Sequence, residues 1–401
     1  MEYDPEVLRQ FGVDQWLLGR VLAGLASAET RDPAAFSIGI EEEYFLSDAR
    51  TGHAAFITPD SLFANASAAT EGRVGREFLQ SQVEVATPPY ACLRKARTEL
   101  RYIRRMLATL ASEQGLAVLA CGTHPTARWH EAARSEAERY GRLMDDLQMI
   151  GQRNMLCGMH VHVELPDPDR RVDVMCRMIP YLPLFLALST SSPFWQARAT
   201  GLRGYRLAAY DELPRTGIPE LFRTTEAFEA YVSALVRSGA MQDASYVWWM
   251  IRPSAKYPTL ELRAPDCCTR LDDAIAIAAL YRVLARHLFV HPDRNRDIDA
   301  RARAIAQENK WRAQRYGVHG SFVSADGAVT VADLVEHLIA MTREDAEILG
   351  CTDEVAHCRT IVAAGTSADA QLAIFQEKEQ GGSEAALAAV AAWVAQNTAR
   401  G

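Results

Sequence analysis

Two glutamates stand two residues apart in a strand-like segment near the start of the chain. Segment 36–46 reads Phe-Ser-Ile-Gly-Ile-Glu-Glu-Glu-Tyr-Phe-Leu. Alternate side chains of a β-strand lie on the same face, so Glu41 and Glu43 point one way and Glu42 lies with the apolar residues. Paired carboxylates can bind a divalent cation, although a glutamate-rich strand taken alone is more often a solvated face.

A second strand-like segment, 76–87, carries two more glutamates. It puts Glu84 on a polar face with Gln80 and Gln82. Glu77 comes seven residues before Glu84 and falls on the opposite face of a regular strand. Both carboxylates can serve one site only if a bulge or a strand break intervenes.

The segment 157–165 is the most informative, because it alternates polar and apolar residues. His160, His162 and Glu164 share one face of the predicted strand. A polar outer face with incidental histidines explains this segment, taken alone, about as well as a site does.

A fourth predicted strand, 259–264, puts Glu261 and Arg263 on one face and leucines on the other. An exposed ion pair is the simpler account of these two residues. The coincidence of four such strands favours a single site on one sheet. Carboxylates packed together raise their own pKa values, so divalent cations are expected to neutralise them, and oxygen ligands with few histidines suit Mg²⁺ or Mn²⁺ better than zinc.

The elements that would position these residues are short strands followed by long amphipathic helices. The further predicted strands are 116–121 and 246–251, and the predicted helices are 14–28, 91–114, 172–188, 225–236, 271–290 and 385–396. Because strands come first and helices later, without strict alternation, the pattern predicts an α+β fold with a largely antiparallel sheet.

Composition excludes several classes of protein. Apolar residues make up 49% of the 401 residues and charged ones 23%, values typical of soluble globular proteins. The net charge of −8 argues against binding to nucleic acid or anionic lipid, and the longest apolar run, 178–188, is too short for a membrane span. The acidic first ten residues do not resemble a targeting signal, and eight cysteines without a Cys-x-x-Cys pair fit a reducing cytoplasm.

Five motifs follow one another along the chain: GIEEEYFL at 39–46, EFLQSQVEVATP at 77–88, GMHVH at 158–162, TLELRAPD at 259–266 and ENKWR at 308–312. In this order they resemble the glutamate–cysteine ligase type 2 family of carboxylate–amine ligases and, more remotely, glutamine synthetase. The resemblance implies a curved antiparallel sheet that forms a metal-lined funnel, with ATP entering at one end and the amino acid at the other.

The resemblance also implies roles for individual residues. The candidates for binding two or three Mg²⁺ or Mn²⁺ ions are Glu41, Glu43, Glu77, Glu84, His160 and Glu261. His162 would lie beside the nucleotide and Arg263 would contact its terminal phosphate. Arg263, Glu84 and Glu261 are expected to act directly in catalysis, although the carboxylate that accepts a proton from the amine is left open.

Basic residues outside the four strands are further candidates. Arg203 and Arg206 lie in a Gly- and Pro-containing stretch between helices, where either could hold a substrate carboxylate or a phosphate, although a solvated loop arginine is the more common case. Lys310 and Arg312 belong to a basic cluster that could bind the nucleotide, and an exposed helical face explains them nearly as well. Trp248 is expected to be a packing residue.

The residues themselves indicate metal, phosphate and carboxylate chemistry. The family resemblance implies an ATP- and Mg²⁺-dependent ligase that activates an amino-acid carboxylate, expected to be glutamate, and joins it to an amine such as cysteine. A phosphagen-type kinase and a non-catalytic nucleotide- or metal-binding protein are the alternatives. We expect one catalytic domain over residues 1–401, with strands at about 30–270 and helices beyond, small-molecule substrates and a possible homodimer.

Overall fold

The polar segments of the sequence lie side by side in one antiparallel sheet. The computed structural model describes residues 36–77, 79–131 and 147–400, and the helix predicted at 14–28 lies outside these ranges. The strands are β1 (Ile38–Asp48), β2 (Val74–Arg76), β3 (Gln82–Ala86), β4 (Leu116–Leu119), β5 (Met159–Glu164), β6 (Phe194–Trp195), β7 (Arg198–Ala199), β8 (Ile251–Pro253), β9 (Thr259–Leu262), β10 (Ser321–Ser324) and β11 (Gly327–Thr330). Seven of them form the main sheet in the order β2-β3-β1-β5-β9-β8, with β4 paired to the end of β1. All these pairings are antiparallel, which confirms the predicted α+β class.

Helices make up most of the remaining described structure. They are α1 (Asp60–Ala69), α2 (Leu93–Ser112), α3 (Met149–Gln152), α4 (Arg171–Met178), α5 (Leu182–Ser189), α6 (Tyr205–Tyr210), α7 (Thr225–Arg237), α8 (Leu271–Val290), α9 (Ala300–Tyr316), α10 (Val331–Met341), α11 (Arg343–Ile348), α12 (Thr352–Ala356), α13 (Cys358–Ala364), α14 (Ser367–Lys378) and α15 (Ser383–Arg400). Helix α8 has the predicted bounds. The chain after it is helical as expected, apart from short 3₁₀ turns and the hairpin of β10 and β11.

Three predicted elements differ from the structure. The strand predicted at 76–87 is two antiparallel strands, β2 and β3, joined by a reversal of the chain. The strand predicted at 246–251 is a 3₁₀ turn, Ala244–Tyr246, followed by a loop that reaches β8. The helix predicted at 172–188 is divided into α4 and α5 by a 3₁₀ turn at Ile179–Tyr181, because proline interrupts regular helical hydrogen bonding.

Helix α8 lies against the apolar face of the sheet. It is buried along most of its length, and its many alanines allow close packing. The Tyr281 hydroxyl donates to the carbonyl of Leu260 in β9 at 3.0 Å, and Arg282 Nε donates to the carbonyl of Phe36 at 2.7 Å. These hydrogen bonds hold the strands from the apolar face of the sheet and leave the polar face uncovered.

Glu42 lies between Glu41 and Glu43 in β1 but on the opposite face, where it forms a buried ion pair on the apolar side of the sheet. Arg104 of α2 donates to its two oxygens at 3.0 and 2.5 Å, and both side chains are fully buried. Tyr44 donates a further hydrogen bond to Glu42 at 2.5 Å, while Arg104 also donates to the carbonyls of Cys268 and Thr269. The network ties β1 to α2 and to the chain that follows β9.

We expect the substitution Glu42→Gln to lower the free energy of unfolding by about 3–5 kcal/mol, because it leaves the charge of Arg104 buried and uncompensated. Urea denaturation followed by circular dichroism measures the change. Its matched control is Glu41→Gln, one residue away on the opposite face, which removes a carboxylate from a crowded cluster and should leave stability within about 1 kcal/mol of the wild type. Equal losses for the two variants would contradict the assigned role of the buried pair.

One stretch of the described residues, Pro168–Ser189, is long and apolar enough to pass a membrane-span test by length and composition. Most of it is buried inside the protein. Burial of this kind is typical of a core helix and agrees with the expectation from sequence.

Candidate active site

Five neighbouring strands, β3, β1, β5, β9 and β8, carry polar side chains on the face of the sheet opposite α8. Strand alternation selects these residues, and antiparallel pairing brings them into register. The cross-strand neighbours are Glu84 and Glu43, Glu41 and His160, His162 and Glu261, and Glu261 and Arg252. Carboxylates therefore lie at the β3 side, histidines in the middle and arginines at the β8 side.

These residues line a cavity of about 270 Å³. The residues predicted from sequence that line it are Glu41, Glu43, Glu77, Glu84, His160, His162, Glu261, Arg263 and Arg206. Nine candidates from distant parts of the chain thus converge on one cavity.

The position of Glu77 depends on the chain reversal between β2 and β3. Glu77 directly follows β2, Glu84 lies within β3, and both line the cavity. The strand break that their spacing required is therefore present.

The imidazole of His160 lies between two carboxylates. Its Nδ1 is 3.5 Å from Glu41 Oε2, and its Nε2 is 3.8 Å from Glu43 Oε1. The second oxygen of Glu43 accepts a hydrogen bond from the backbone N–H of Gly158 at 2.6 Å. Burial lowers the pKa of His160, and the positive charge of Arg263 lowers it further, so the neutral imidazole is favoured.

The second histidine, His162, is oriented by β9. Its Nδ1 lies 2.9 Å from the Thr259 hydroxyl, and its Nε2 lies 3.6 Å from Glu41 Oε1. The ring also meets the edge of Tyr257 at a centroid distance of 6.0 Å. One imidazole nitrogen is therefore held by the protein and the other faces Glu41.

The donor set at this side of the cavity fits divalent cations. Within the described ranges, no three His, Cys, Asp or Glu side chains form a closed metal cluster as they stand. The Nε2 atoms of His160 and His162 are nevertheless buried without a hydrogen-bond partner, and such atoms call for an additional ligand. Carboxylate oxygens beside neutral imidazole suit Mg²⁺ or Mn²⁺.

Two arginines share one carboxylate at the other side of the cavity. Arg252 donates to Glu261 through Nε at 2.8 Å and Nη2 at 3.1 Å, and Arg263 Nη1 donates to Glu261 Oε1 at 2.5 Å. Burial raises the pKa of the Glu261 carboxyl, but the two guanidinium groups outweigh it and hold this pKa well below its usual range. Glu261 is therefore ionised at neutral pH and compensated by arginine.

Arg206 lies at the edge of the cavity and is almost fully buried. Its Nη1 donates to the carbonyls of Arg263 at 3.3 Å and Pro265 at 3.1 Å. Its guanidinium fills the space that a side chain at position 158 would need, so only glycine fits there. Arg206 supports the chain around β5 and β9 and also borders the cavity.

Three basic candidates are not among the described residues that line the cavity. The Lys310 ammonium pairs with Asp211, Arg312 donates to the carbonyl and hydroxyl of Ser321, and Arg203 pairs with Asp369 at 2.7 Å. Lys310 is buried, which differs from the exposed helical face considered from sequence. Their placement indicates support of the surrounding loops. Nucleotide binding by Lys310 and Arg312 and substrate binding by Arg203 stay predictions.

Sequence reasoning missed several residues that line the cavity. Arg252 pairs with Glu261, and Tyr210 accepts a hydrogen bond from Arg263 Nη2 at 3.3 Å. Trp248 was expected to pack in the core but borders the cavity, as does Tyr257. The available signal was the Glu-x-Arg pattern at 261–263. The charge of a buried carboxylate is better compensated between two cations, so a second arginine could be expected on the next strand.

Comparison with known proteins identifies the family of the chain and agrees with its fold. The model of the family described as glutamate–cysteine ligase family 2 matches residues 37–389. A protein of Bradyrhizobium sp. strain ORS 278 named "Putative glutamate–cysteine ligase 2" is 53% identical over 396 residues, covering 96% of each chain. A protein of the same name from Rhodospirillum rubrum is 44% identical, covering 92% of this chain and 97% of the other.

Two solved structures share the fold at low sequence identity. A bifunctional glutathione synthetase from Pasteurella multocida has a TM-score of 0.69 and 17% identity, with 95% of this chain matched to 54% of that longer chain. A glutamate–cysteine ligase from Francisella tularensis in complex with AMP has a TM-score of 0.65 and 14% identity, with 90% and 89% of the two chains covered.

Fold, site and family together define a ligase that forms a carbon–nitrogen bond. The chain belongs to glutamate–cysteine ligase family 2.

Proposed function

We propose that this protein uses ATP to activate the side-chain carboxylate of glutamate as an acyl phosphate and joins it to the amino group of cysteine. The observation that carries the proposal is the division of one cavity into a carboxylate and imidazole side and an arginine side. The names of the relatives support the two amino acids, and the AMP complex of a protein with the same fold supports the nucleotide.

The acidic side of the cavity would hold two or three Mg²⁺ or Mn²⁺ ions. The residues proposed to bind them are Glu41, Glu43, Glu77, Glu84 and His160, with Glu261 as a further candidate ligand and His162 beside the nucleotide. Bound metal ions would neutralise the charge of the phosphates and of the substrate carboxylate. The metal-lined funnel expected from the family resemblance is part of this proposal.

The first step joins two anions. An oxygen of the substrate carboxylate attacks the γ-phosphorus of ATP, and the bond from that phosphorus to the oxygen of the leaving ADP breaks. Arg263, which lines the cavity and is bound to Glu261, would stabilise the charge on the transferring phosphoryl group. The cavity walls would exclude water, which otherwise hydrolyses the acyl phosphate.

The second step forms the amide. The amine nitrogen attacks the acyl carbon, and the bond from that carbon to the phosphate oxygen breaks, releasing inorganic phosphate. The ammonium group of the incoming amino acid must first lose a proton. Glu84, a carboxylate in β3 at the acidic side of the cavity, is our candidate acceptor.

Some further expectations remain proposals. We propose that Lys310, Arg312 and Arg203 act indirectly, since Lys310 pairs with Asp211, the neighbour of the cavity residue Tyr210. All eight cysteines are free thiols in the structure, which supports the proposal that the protein functions in a reducing cytoplasm. A single catalytic domain over residues 1–401 and a homodimer complete the proposal.

We expect ADP release from ATP to require glutamate and an amine together, because the acyl phosphate must be consumed before the next turnover. A coupled ADP assay with each component omitted in turn measures this, and mass spectrometry identifies γ-glutamylcysteine. Screening other amino acids and amines in the same assay tests the substrate assignment. Rapid ADP release without any amine, together with a stable phosphorylated product from a guanidino compound, would instead support the phosphagen-type kinase.

A further inference from the structure

We propose that Arg252 is a positioning residue for phosphoryl transfer: it holds the Glu261 carboxylate so that Glu261 in turn fixes the guanidinium of Arg263. The inference rests on the proposed function, because Arg263 is assigned there to the transferring phosphoryl group. It also gives Glu261 a role in orienting an arginine, beside the metal-binding role suggested by the family resemblance.

The pairing of β8 with β9 sets the geometry of Arg252. Arg252 and Glu261 are directly opposite each other in the antiparallel register. The guanidinium approaches the carboxylate with two donors, at 2.8 and 3.1 Å, in the planar two-bond arrangement that arginine can form and lysine cannot. This contact therefore depends on the shape of the guanidinium as well as on its charge.

The remaining donors of Arg252 are directed into the protein. Its Nη1 donates to the carbonyls of Ser245 at 2.7 Å and Val247 at 2.9 Å. Four of the five N–H groups of an arginine are then occupied by fixed acceptors. Arg252 cannot turn toward a phosphate without breaking this set, so its effect must pass through Glu261.

The Glu261 carboxylate transmits that effect to Arg263. Its Oε1 accepts hydrogen bonds from Arg252 Nη2 and Arg263 Nη1, and its Oε2 accepts one from Arg252 Nε. Arg263 Nη2 is held by the Tyr210 hydroxyl at 3.3 Å, but Arg263 Nε is buried without a hydrogen-bond partner. Arg263 is thus fixed at both terminal nitrogens beside the cavity and retains donor capacity for an anion.

The test is the substitution Arg252→Lys, which keeps the positive charge and removes the two-bond contact. We expect kcat to fall by about 10- to 100-fold, the cost of a displacement of about 1 Å in a catalytic group. KM for glutamate and the Mg²⁺ concentration for half-maximal activity should stay within about twofold of wild type. Mn²⁺ binding, measured by the electron paramagnetic resonance of free Mn²⁺, should also be unchanged.

The matched control is Arg171→Lys. Arg171 donates to the carbonyls of Ser254 and Tyr257, so it supports the same β8–β9 connection without touching Glu261. A purely structural role of Arg252 would give similar shifts in melting temperature and similar small changes in kcat for the two variants. That outcome would overturn the proposal.

A second set of variants, Arg252→Gln, Glu261→Gln and their combination, keeps the proposal testable if Arg252→Lys folds poorly. Glu261→Gln should lower kcat by at least as much, and Arg252→Gln combined with Glu261→Gln should be no slower than Glu261→Gln alone, because both act through one route. Additive losses, or a rise confined to KM for ATP in Arg252→Gln, would place Arg252 on the nucleotide and refute positioning. Wild-type enzyme without amine-dependent ADP release would refute the proposed function itself, which separates the two failures.

Discussion

The substitution Glu41→Gln should lower kcat for ADP release by at least about 10³-fold, equal to about 4 kcal/mol in activation free energy. Glu41 lies between both histidines, 3.5 Å from His160 and 3.6 Å from His162. An amide keeps the size of the side chain but lacks the negative charge that holds a divalent cation. Loss of this one charge weakens neutralisation of the phosphates for the whole reaction.

The measurement pairs steady-state kinetics across a range of Mg²⁺ concentrations with direct Mn²⁺ binding. We expect weaker Mn²⁺ binding and only partial recovery of rate at high Mg²⁺. Glu164→Gln is the control, because Glu164 lies on the same face of β5, accepts a hydrogen bond from Ser37 at 2.7 Å and is not among the described residues that line the cavity. Near-normal turnover of the Glu41 variant, or an equal loss in the Glu164 variant, would remove the metal-binding assignment.

Chelation should give a matching result. EDTA should stop ADP release by wild-type enzyme, and excess Mg²⁺ should restore it. The Glu41 variant should regain less of its activity than wild type at each Mg²⁺ concentration, because its affinity for the ion is lower. Activity that persists in EDTA would point to a mechanism without divalent cations.

The sequence was sufficient to predict the polar face of β1, β5 and β9. Strand alternation is a property of the backbone, so once residues 36–46 form a strand, Glu41 and Glu43 must share a face and Glu42 must lie on the other. The same argument holds for His160 and His162. No single segment could establish that these strands meet; that expectation came from the coincidence of four such strands, and the family resemblance supported it.

The chain reversal between β2 and β3 could not be predicted in the same way. Residues 77–81 read Glu-Phe-Leu-Gln-Ser and contain no glycine, proline, asparagine or aspartate to indicate a turn. The apolar residues of 76–87 therefore suggested one continuous strand. Tertiary pairing of β3 with both β2 and β1 overrides that local pattern.

Other misses concern contacts between residues distant in the chain. Lys310 is buried by pairing with Asp211, 99 residues earlier, and nothing in the sequence near either residue indicates the pair. Trp248 and Trp249 are adjacent, yet Trp249 packs against Tyr231 with an interplanar angle of 16° whereas Trp248 borders the cavity. The backbone N–H of Trp248 donates to the carbonyl of Arg215, and that of Met250 donates to the carbonyl of Gly217. These two hydrogen bonds determine which of the tryptophans lies inside.

The substitution Arg263→Ala should lower kcat by about 10²- to 10³-fold, the usual cost of removing a donor that stabilises transition-state charge. Arg263 is held by Glu261 and Tyr210 beside the cavity before any substrate arrives, so little reorganisation is needed when negative charge develops on the phosphoryl group. Because the interaction strengthens in the transition state, KM for ATP should change far less than kcat.

Arg263→Lys distinguishes charge from geometry, since a lysine restores a cation but cannot bind Glu261 and a phosphate oxygen through the same planar group. We expect the kcat of Arg263→Lys to exceed that of Arg263→Ala by no more than about tenfold. Tyr210→Phe removes one of the two contacts that hold the guanidinium and should have a smaller effect in the same direction. A change confined to KM in Arg263→Ala would mean that the residue binds ground-state substrate, and phosphoryl transfer would then need another source of stabilisation.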